Sequence, residues 1–163
     1  MSANKSLTEE YKIVNIIIPQ TGGAVTGDYV SVKGYHKIAF IVSFNGLGNV
    51  ATMDVHLYGA TAVLPGGVVV DLALVNWWRL QGTAAAMALT DTLTKGAAGV
   101  TVITSTASLD SLIVIEVDPM DYPLYDVFTI RCDASNALNF VSCVAVLGPG
   151  RYQQATPPSA IID

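Results

Sequence analysis

Few side chains in this sequence could carry out acid–base, nucleophilic or metal chemistry. The chain has two histidines, His36 and His56, and two cysteines, Cys132 and Cys143. Neither histidine has the spacing of metal ligands, such as two histidines one helical turn apart or a Cys-x-x-Cys pair. Both cysteines alternate within apolar runs, so we expect buried, reduced thiols rather than nucleophiles. These residues predict no catalytic group, no metal site and no bound cofactor.

The densest acidic stretch, DPMDYPLYD, contains Asp118, Asp121 and Asp126. A cation could use such carboxylates, but the regular Asp/Asn/Gly spacing of a calcium loop is missing and the two prolines favour a different path. Paired carboxylates could also cleave glycosides, although the sequence shows no aromatic-lined sugar cleft beside them. We therefore interpret the stretch as a solvated loop between strands, and we expect a protein that is not an enzyme.

The composition favours contact with other protein subunits. Hydrophobic residues make up 52% of the 163 residues and charged residues 13%, against roughly 25% charged residues in an average soluble domain. One domain of this size has too much surface to cover with so few charges. Part of its apolar surface is therefore expected to face something other than water.

The sequence disfavours a membrane and nucleic acid as that partner. Its apolar runs, such as KIAFIVSF and ALNFVSCVAVLG, have about a dozen residues or fewer, whereas a membrane-spanning helix needs roughly 20. The opening MSANKSLTEEYK is polar and lacks the pattern of a secretory signal, so synthesis in a cytoplasm is expected. The net charge is −5 and the eight basic residues are scattered, which argues against direct DNA or RNA binding.

The apolar residues follow a period of two, which indicates β-strands. In HKIAFIVSFNG the residues on one face are Ile38, Phe40, Val42 and Phe44, and TMDVHLYGA and DVFTIRCD repeat the pattern. The loop NGLGN has the length and glycines of a hairpin, so the strands on either side of it are predicted to be antiparallel neighbours. About eight to ten strands with Gly/Pro turns predict an all-β fold, an antiparallel, jelly-roll-like β-sandwich with an extended C-terminal arm.

The chain divides into one domain and one arm. Residues 1–150 are predicted to form the β-sandwich, and residues 151–163 the arm. Within the domain, residues 82–99 (GTAAAMALTDTLTKGAAG) are rich in Ala, Thr and Gly and are predicted to be a surface loop insertion. A short helix over TAAAMAL, or ordering of the loop on a partner, remains open.

Trp77 and Trp78 form an adjacent pair on a predicted strand. Neighbours on a strand point to opposite faces, so one indole is predicted in the core and the other exposed or at an interface. Burial of both indoles within the domain is the alternative.

The C-terminal third, LIVIEVDPMDYPLYDVFTIRC followed by an apolar strand and GRYQQATPPSAIID, resembles small structural proteins of tailed bacteriophages encoded near the capsid genes. The resemblance extends to GDYVSVKGYHKIAFIVSFNGLGN and NWWRLQGT, and its most specific part is the tail, with Arg151-Tyr152 and PPSAIID. In other members the acidic segment is richer in Asp; here Pro119 and Pro123 interrupt it, which weakens the case for a cation site.

This resemblance implies a virion component on the capsid surface, made in the cytoplasm of a bacterial host. The expected role is a decoration (cement) or minor capsid protein that bridges capsomers and stabilises the shell. Its expected partners are further copies of itself, as a homo-oligomer and most simply a trimer, and the major capsid protein. A host- or glycan-binding head protein, using Trp78, Tyr58 and Tyr152, and a tail or neck component are the alternatives.

The C-terminal segment LGPGRYQQATPPSAIID is predicted to be a binding arm. Gly148-Pro149-Gly150 is expected to end the last strand, and the two prolines favour an extended path beyond it. The sixteen residues from Gly148 to Asp163 span at most ~50 Å when extended, enough to reach a neighbouring subunit. We expect contacts with an adjacent protomer or capsid subunit from the following residues of the arm: Arg151, Tyr152, Pro157, Pro158, Ile161 and Ile162.

Overall fold

The computed structural model describes residues 7–45, 52–62, 68–81, 92–106, 111–134, 138–150 and 161–162. In this part of the chain a short helix, α1 (Leu7–Glu10), precedes thirteen strands. The strands are β1 (Lys12–Thr21), β2 (Ala24–Thr26), β3 (Tyr29–Ser31), β4 (Tyr35–Asn45), β5 (Thr52–Ala60), β6 (Val69–Asp71), β7 (Asn76–Gln81), β8 (Thr94–Lys95), β9 (Ile103–Thr106), β10 (Ser111–Val117), β11 (Val127–Ala134), β12 (Phe140–Gly150) and β13 (Ile161–Ile162).

The strands form two antiparallel sheets packed as a sandwich. Sheet A has the order β1-β12-β4-β10-β7-β8. Sheet B has the order β13-β3-β11-β5-β6, with β2 also paired to β11 and β9 to β5. The eight strands of a jelly roll are numbered along the chain, and here they are β1, β3, β4, β5, β6, β10, β11 and β12. With this numbering the strand order is 1-8-3-6 in sheet A and 2-7-4-5 in sheet B. This is the strand order of a jelly roll, so the predicted fold class is confirmed.

Alternating side chains of both sheets meet in one core. The predicted inward positions of β4, β5 and β11 are all buried, and β10 and β12 contribute in the same way. Each fully buried aliphatic or aromatic side chain contributes roughly 1.5–3 kcal/mol through removal of apolar surface from water. The largest fully buried side chains are Ile17, Val30, Ile38, Phe40, Met53, Leu57, Leu74, Ile113, Ile115, Phe128, Ile130 and Leu147.

The predicted hairpin between β4 and β5 is wrong. β4 lies in sheet A between β12 and β10, whereas β5 lies in sheet B between β11 and β6. A glycine-containing loop signals a change of chain direction, but the strand that follows can join the facing sheet instead of pairing with its predecessor. In this jelly roll β11 and β12, which also follow one another along the chain, are likewise divided between the sheets.

β12 continues through Gly148-Pro149-Gly150, which the sequence analysis placed at the end of the strand. The two glycines pair with Lys37 and Tyr35 of β4. The pairing of β12 with β1 starts only at Leu147, so β12 is an edge strand at Pro149. An edge tolerates a proline because the missing N–H faces away from the ladder.

The predicted insertion at residues 82–99 lies partly outside the described residues, as does the helix considered over TAAAMAL. Its described part, residues 92–99, extends sheet A through β8, where Lys95 pairs with Trp78 and Thr94 with Arg79. Among the described residues, no helix is long and apolar enough to cross a membrane.

Candidate interaction surface

Trp77 and Trp78 point to opposite sides of sheet A. Trp77 is only 7% exposed, and its Nε1 donates a hydrogen bond to the carbonyl oxygen of Ala97 at 2.9 Å. Trp78 is half-buried on the other side, where the Lys95 ammonium lies 5.6 Å from the centre of its ring. The two indoles therefore point to opposite sides, with Trp78 on the outside of the sandwich, and the interface role of the pair stays a prediction.

The outer face of sheet A, the side that points away from sheet B, is apolar along its centre. Strand register places Trp78 opposite Val114, Val114 opposite Ile41, and Ile41 opposite Val144. All four side chains are half-buried, because each is flanked by its neighbours but covered by no second layer of described residues. They form a continuous apolar row across four strands.

Further apolar residues widen this row on both sides. Leu80 pairs with Leu112 in the next row, which continues through Ser43 and Ser142. Ala39 pairs with Val146 in the row on the other side, which also contains Glu116. At the margins, Ile13 is 47% and Phe140 is 42% exposed. The apolar members of the outer face of sheet A are Ile13, Ala39, Ile41, Trp78, Leu80, Leu112, Val114, Phe140, Val144 and Val146.

Charged groups of this face lie outside the row of Trp78, Val114, Ile41 and Val144. Glu116 pairs with Ala39, Lys37 lies one row further along β4, and Lys95 lies beside Trp78. A depression of about 230 Å³ opens at this end of the face. The residues that line it are Tyr11, Lys37, Ile38, Ala39, Glu116, Val146, Gly148 and Pro149.

The outer face of sheet B is polar and charged by contrast. His56 Nδ1 lies 2.9 Å from Asp71 Oδ2 across β5 and β6. Arg131 Nε lies 3.0 Å from Asp133 Oδ2 on β11, and this carboxylate raises the pKa of Arg131. His56 Nε2 lies 4.0 Å from the same carboxylate. Polar contacts between neighbouring side chains of one face, within a strand or across strands, are expected where a sheet is in contact with water.

The described part of the polar face contains one histidine, His56. His56 has a carboxylate partner, as a general base would, but the described contacts place no serine, threonine or cysteine nucleophile against it. Among the described residues, no group of three His, Cys, Asp or Glu side chains could hold a metal ion. Asp118, in the predicted acidic loop, instead accepts a hydrogen bond from the backbone N–H of Met120 at 2.9 Å, which stabilises the turn.

Both cysteines are free and buried, as predicted. Burial raises the pKa of Cys132 to about 12, with the nearby Asp133 carboxylate adding to the shift. Burial also raises the pKa of Cys143 well above its ordinary value, with Cys132 contributing in the same direction. Since the thiolate is the nucleophile, neither sulfur is activated for chemistry.

The arm residues of the predicted interface are only partly placed. Arg151, Tyr152, Pro157 and Pro158 lie outside the described residues. Ile161 and Ile162 form β13, whose backbone pairs with Val30 and Tyr29 of β3 in the same chain. The expected contact of the arm with another subunit stays a prediction.

Sequence reasoning found Trp78 but missed the rest of the outer face of sheet A. Three runs could have indicated this surface, because they carry apolar residues on both faces of the strand: IAFIVSF, SLIVIEV and VSCVAVLG. A strand that is apolar on both sides is typical of a sheet covered on both faces. The alternation within each run identifies the inward positions, but it does not show that the outward positions form one surface.

No protein-family model matches this chain, and a search of curated proteins finds no match.

Proposed function

We propose that this chain is a non-enzymatic structural protein of a tailed-phage virion, which binds the outside of the capsid as a decoration protein. In this role it forms a homo-oligomer, contacts the major capsid protein and bridges neighbouring capsomers. Bridging buries additional area at the seams between capsomers, which helps the shell to resist the pressure of packed DNA. Each contact need only be modest because many copies act together.

The observation that carries this proposal is the contrast between the two outer faces. Trp78, Val114, Ile41 and Val144 present an apolar surface on sheet A, while sheet B presents charged groups such as the Arg131–Asp133 ion pair. Large exposed apolar patches mark protein interaction sites. A molecule with one apolar and one charged face is suited to incorporation in an assembly, with the charged face left in water.

The fold and the inventory of reactive groups agree with a structural role. Jelly rolls occur in viral capsid domains, but also in lectins and cupins, so function has to be argued from the surface rather than from the fold. The buried thiols of Cys132 and Cys143 have raised pKa values. The His56–Asp71 pair has the geometry of a cross-strand ion pair. These features support assembly over catalysis.

A second candidate, glycan binding at the host surface, is favoured by one feature of the outer face of sheet B. The ring of Tyr58 lies 6.0 Å from that of His56. Asp71 pairs with Tyr58 across β5 and β6, and its side chain is 33% exposed. Sugar hydroxyls could donate to this carboxylate while a pyranose ring packs on the tyrosine. Loss of adsorption to host cells in a Tyr58→Ala phage with an intact, heat-stable head would favour this function.

The test of the capsid proposal is the survival of DNA-filled heads with and without the protein. Heads that lack the chain should release DNA at a lower temperature and after a milder osmotic shock than complete heads. Adding back the purified full chain should restore resistance. Unchanged survival would contradict the proposal, and counting copies per virion separates shell decoration, which needs on the order of hundreds of copies, from a tail or neck component.

A further inference from the structure

We infer that the outer face of sheet A is the surface through which copies of this chain pack against each other. The inference deepens the homo-oligomer part of the proposed function by naming the contact surface. It concerns only the contact between copies, so it can be tested on the purified protein without any capsid.

The size of the face is close to what a specific interface requires. Five strands, β1, β12, β4, β10 and β7, lie side by side at about 4.8 Å spacing, and the six residues of β7, the shortest of the five, extend about 20 Å. The flat footprint is therefore roughly 480 Å², and side-chain relief makes the accessible area larger. Burying this face and its contact on another copy removes about 1,000 Å² or more in total, the size that a specific interface should reach.

The apolar character of the face favours another copy over a different partner. Interfaces between identical subunits are more apolar than those of transient complexes, and their centres are depleted of charged residues. Here the centre is formed by Ile41, Val114 and Val144, with Trp78 beside them. β-branched side chains lose little rotamer entropy on contact, and a tryptophan at such a position is a common binding hot spot.

The charge distribution lets acidic copies approach through this face. The chain carries a net charge of −5, which makes random contacts between copies repulsive. On the described part of the outer face of sheet A, the one carboxylate of Glu116 is accompanied by the ammonium groups of Lys37 and Lys95. Asp54, Asp71 and Asp133 all lie on sheet B. The outer face of sheet A is thus a surface on which two copies meet with little like-charge repulsion.

The test compares two lysine substitutions by sedimentation velocity and light scattering on the full chain, from about 1 to 200 μM. Val114→Lys places a charge at the centre of the face, whereas Thr104→Lys places the same charge at an exposed position on sheet B. We expect wild type and Thr104→Lys to self-associate alike, and Val114→Lys to dissociate at least tenfold more readily. The number of copies is read from the same experiment.

A second variant guards against loss of the fold. Val114→Thr combined with Val144→Thr keeps β-branched side chains on both strands while making the face more polar, and it should weaken association in the same direction with an unchanged circular dichroism spectrum. A wild-type chain that stays monomeric at 200 μM, or folded variants that associate as wild type does, would overturn the inference. A monomeric wild type that still protects filled heads would overturn it, together with the homo-oligomer part of the proposed function, while leaving the proposed binding to the capsid standing.

Discussion

The indole ring of Trp77 lies directly against Gly96, in the turn that follows β8. A Cβ atom at position 96 would overlap the benzene part of the indole. The backbone N–H of Gly96 also donates a hydrogen bond to the carbonyl oxygen of Trp77 at 2.9 Å. Position 96 therefore has no room for a side chain, and only glycine fits there without movement of the indole. The turn covers Trp77 at one end of the core.

Gly96→Ala is expected to destabilise the fold by about 1–3 kcal/mol, the usual cost of overpacking a buried site. The measurement is the urea midpoint followed by tryptophan fluorescence. Gly23→Ala is the matched control, because the nearest heavy atom to its added Cβ is 3.9 Å away, which is ordinary contact. Equal midpoints for the two variants would show that Trp77 moves aside at little cost.

Trp77→Ala and Trp78→Ala should separate folding from association. Trp77 is buried and its Nε1 is hydrogen-bonded, so its removal is expected to cost about 3–5 kcal/mol. Trp78 lies on the outer face of sheet A, and its removal should leave the circular dichroism spectrum and the urea midpoint close to wild type while weakening self-association. Unfolding of both variants would contradict this division of roles.

The strands and the core residues could be predicted from the sequence, but the pairing of the strands could not. Alternation in β4 and β5 correctly assigned Phe40 and Leu57 to the core, since the period of two depends only on local geometry. Which strands pair depends on how the whole chain closes into two sheets. The loop after β4 therefore resembled a hairpin although β4 and β5 lie in different sheets.

The candidate surface was predictable only in part for a related reason. Trp78 was recognisable because adjacent side chains on a strand point to opposite faces of the sheet. Val114 and Val144 look like ordinary core residues in sequence. Only the register of β10, β4 and β12 shows that they form one row with Ile41. A surface assembled from several strands cannot be deduced before the strand order is known.

Stability should fall in alkaline solution because of the buried thiols. Burial raises the pKa of Cys132 to about 12 from its ordinary value of 9.0. Above pH 9 the unfolded chain loses the thiol proton while the folded chain keeps it, so unfolding is favoured by up to about 1.4 kcal/mol per pH unit until the folded pKa is reached. Cys132→Ala should show a shallower fall in urea-derived stability between pH 8 and pH 10.5. Parallel curves for the two proteins would contradict this assignment.

The His56–Asp71 pair should contribute little to stability. Nδ1 and Oδ2 are 2.9 Å apart, with the side chains 18% and 33% exposed, and cross-strand pairs on a solvated face contribute roughly 0.2–1 kcal/mol. A double-mutant cycle of His56→Ala and Asp71→Ala is expected to give a coupling in that range. A coupling of several kcal/mol would indicate a more demanding role for the pair.

Removal of the C-terminal arm should leave the sandwich folded. The described part of the arm, β13, pairs through only two residues, Ile161 and Ile162, with β3. A chain ending at Gly150 loses these backbone pairs, at about 1 kcal/mol for each hydrogen bond, while both sheets keep their long strands. We expect a nearly unchanged circular dichroism spectrum and a small decrease in the urea midpoint.

The same truncation should weaken assembly or binding to heads if the arm reaches a neighbouring subunit. A chain ending at Ala160 removes β13 alone, so comparing it with the chain ending at Gly150 separates the effect of β13 from that of residues 151–160. If only the shorter chain fails to bind heads, residues 151–160 make the contact. If both fail, pairing of β13 is required, within its own chain or with a neighbour. Normal assembly and head binding by both truncated chains would show that the arm has no role in attachment, and the contact with the capsid would then have to come from the sandwich itself.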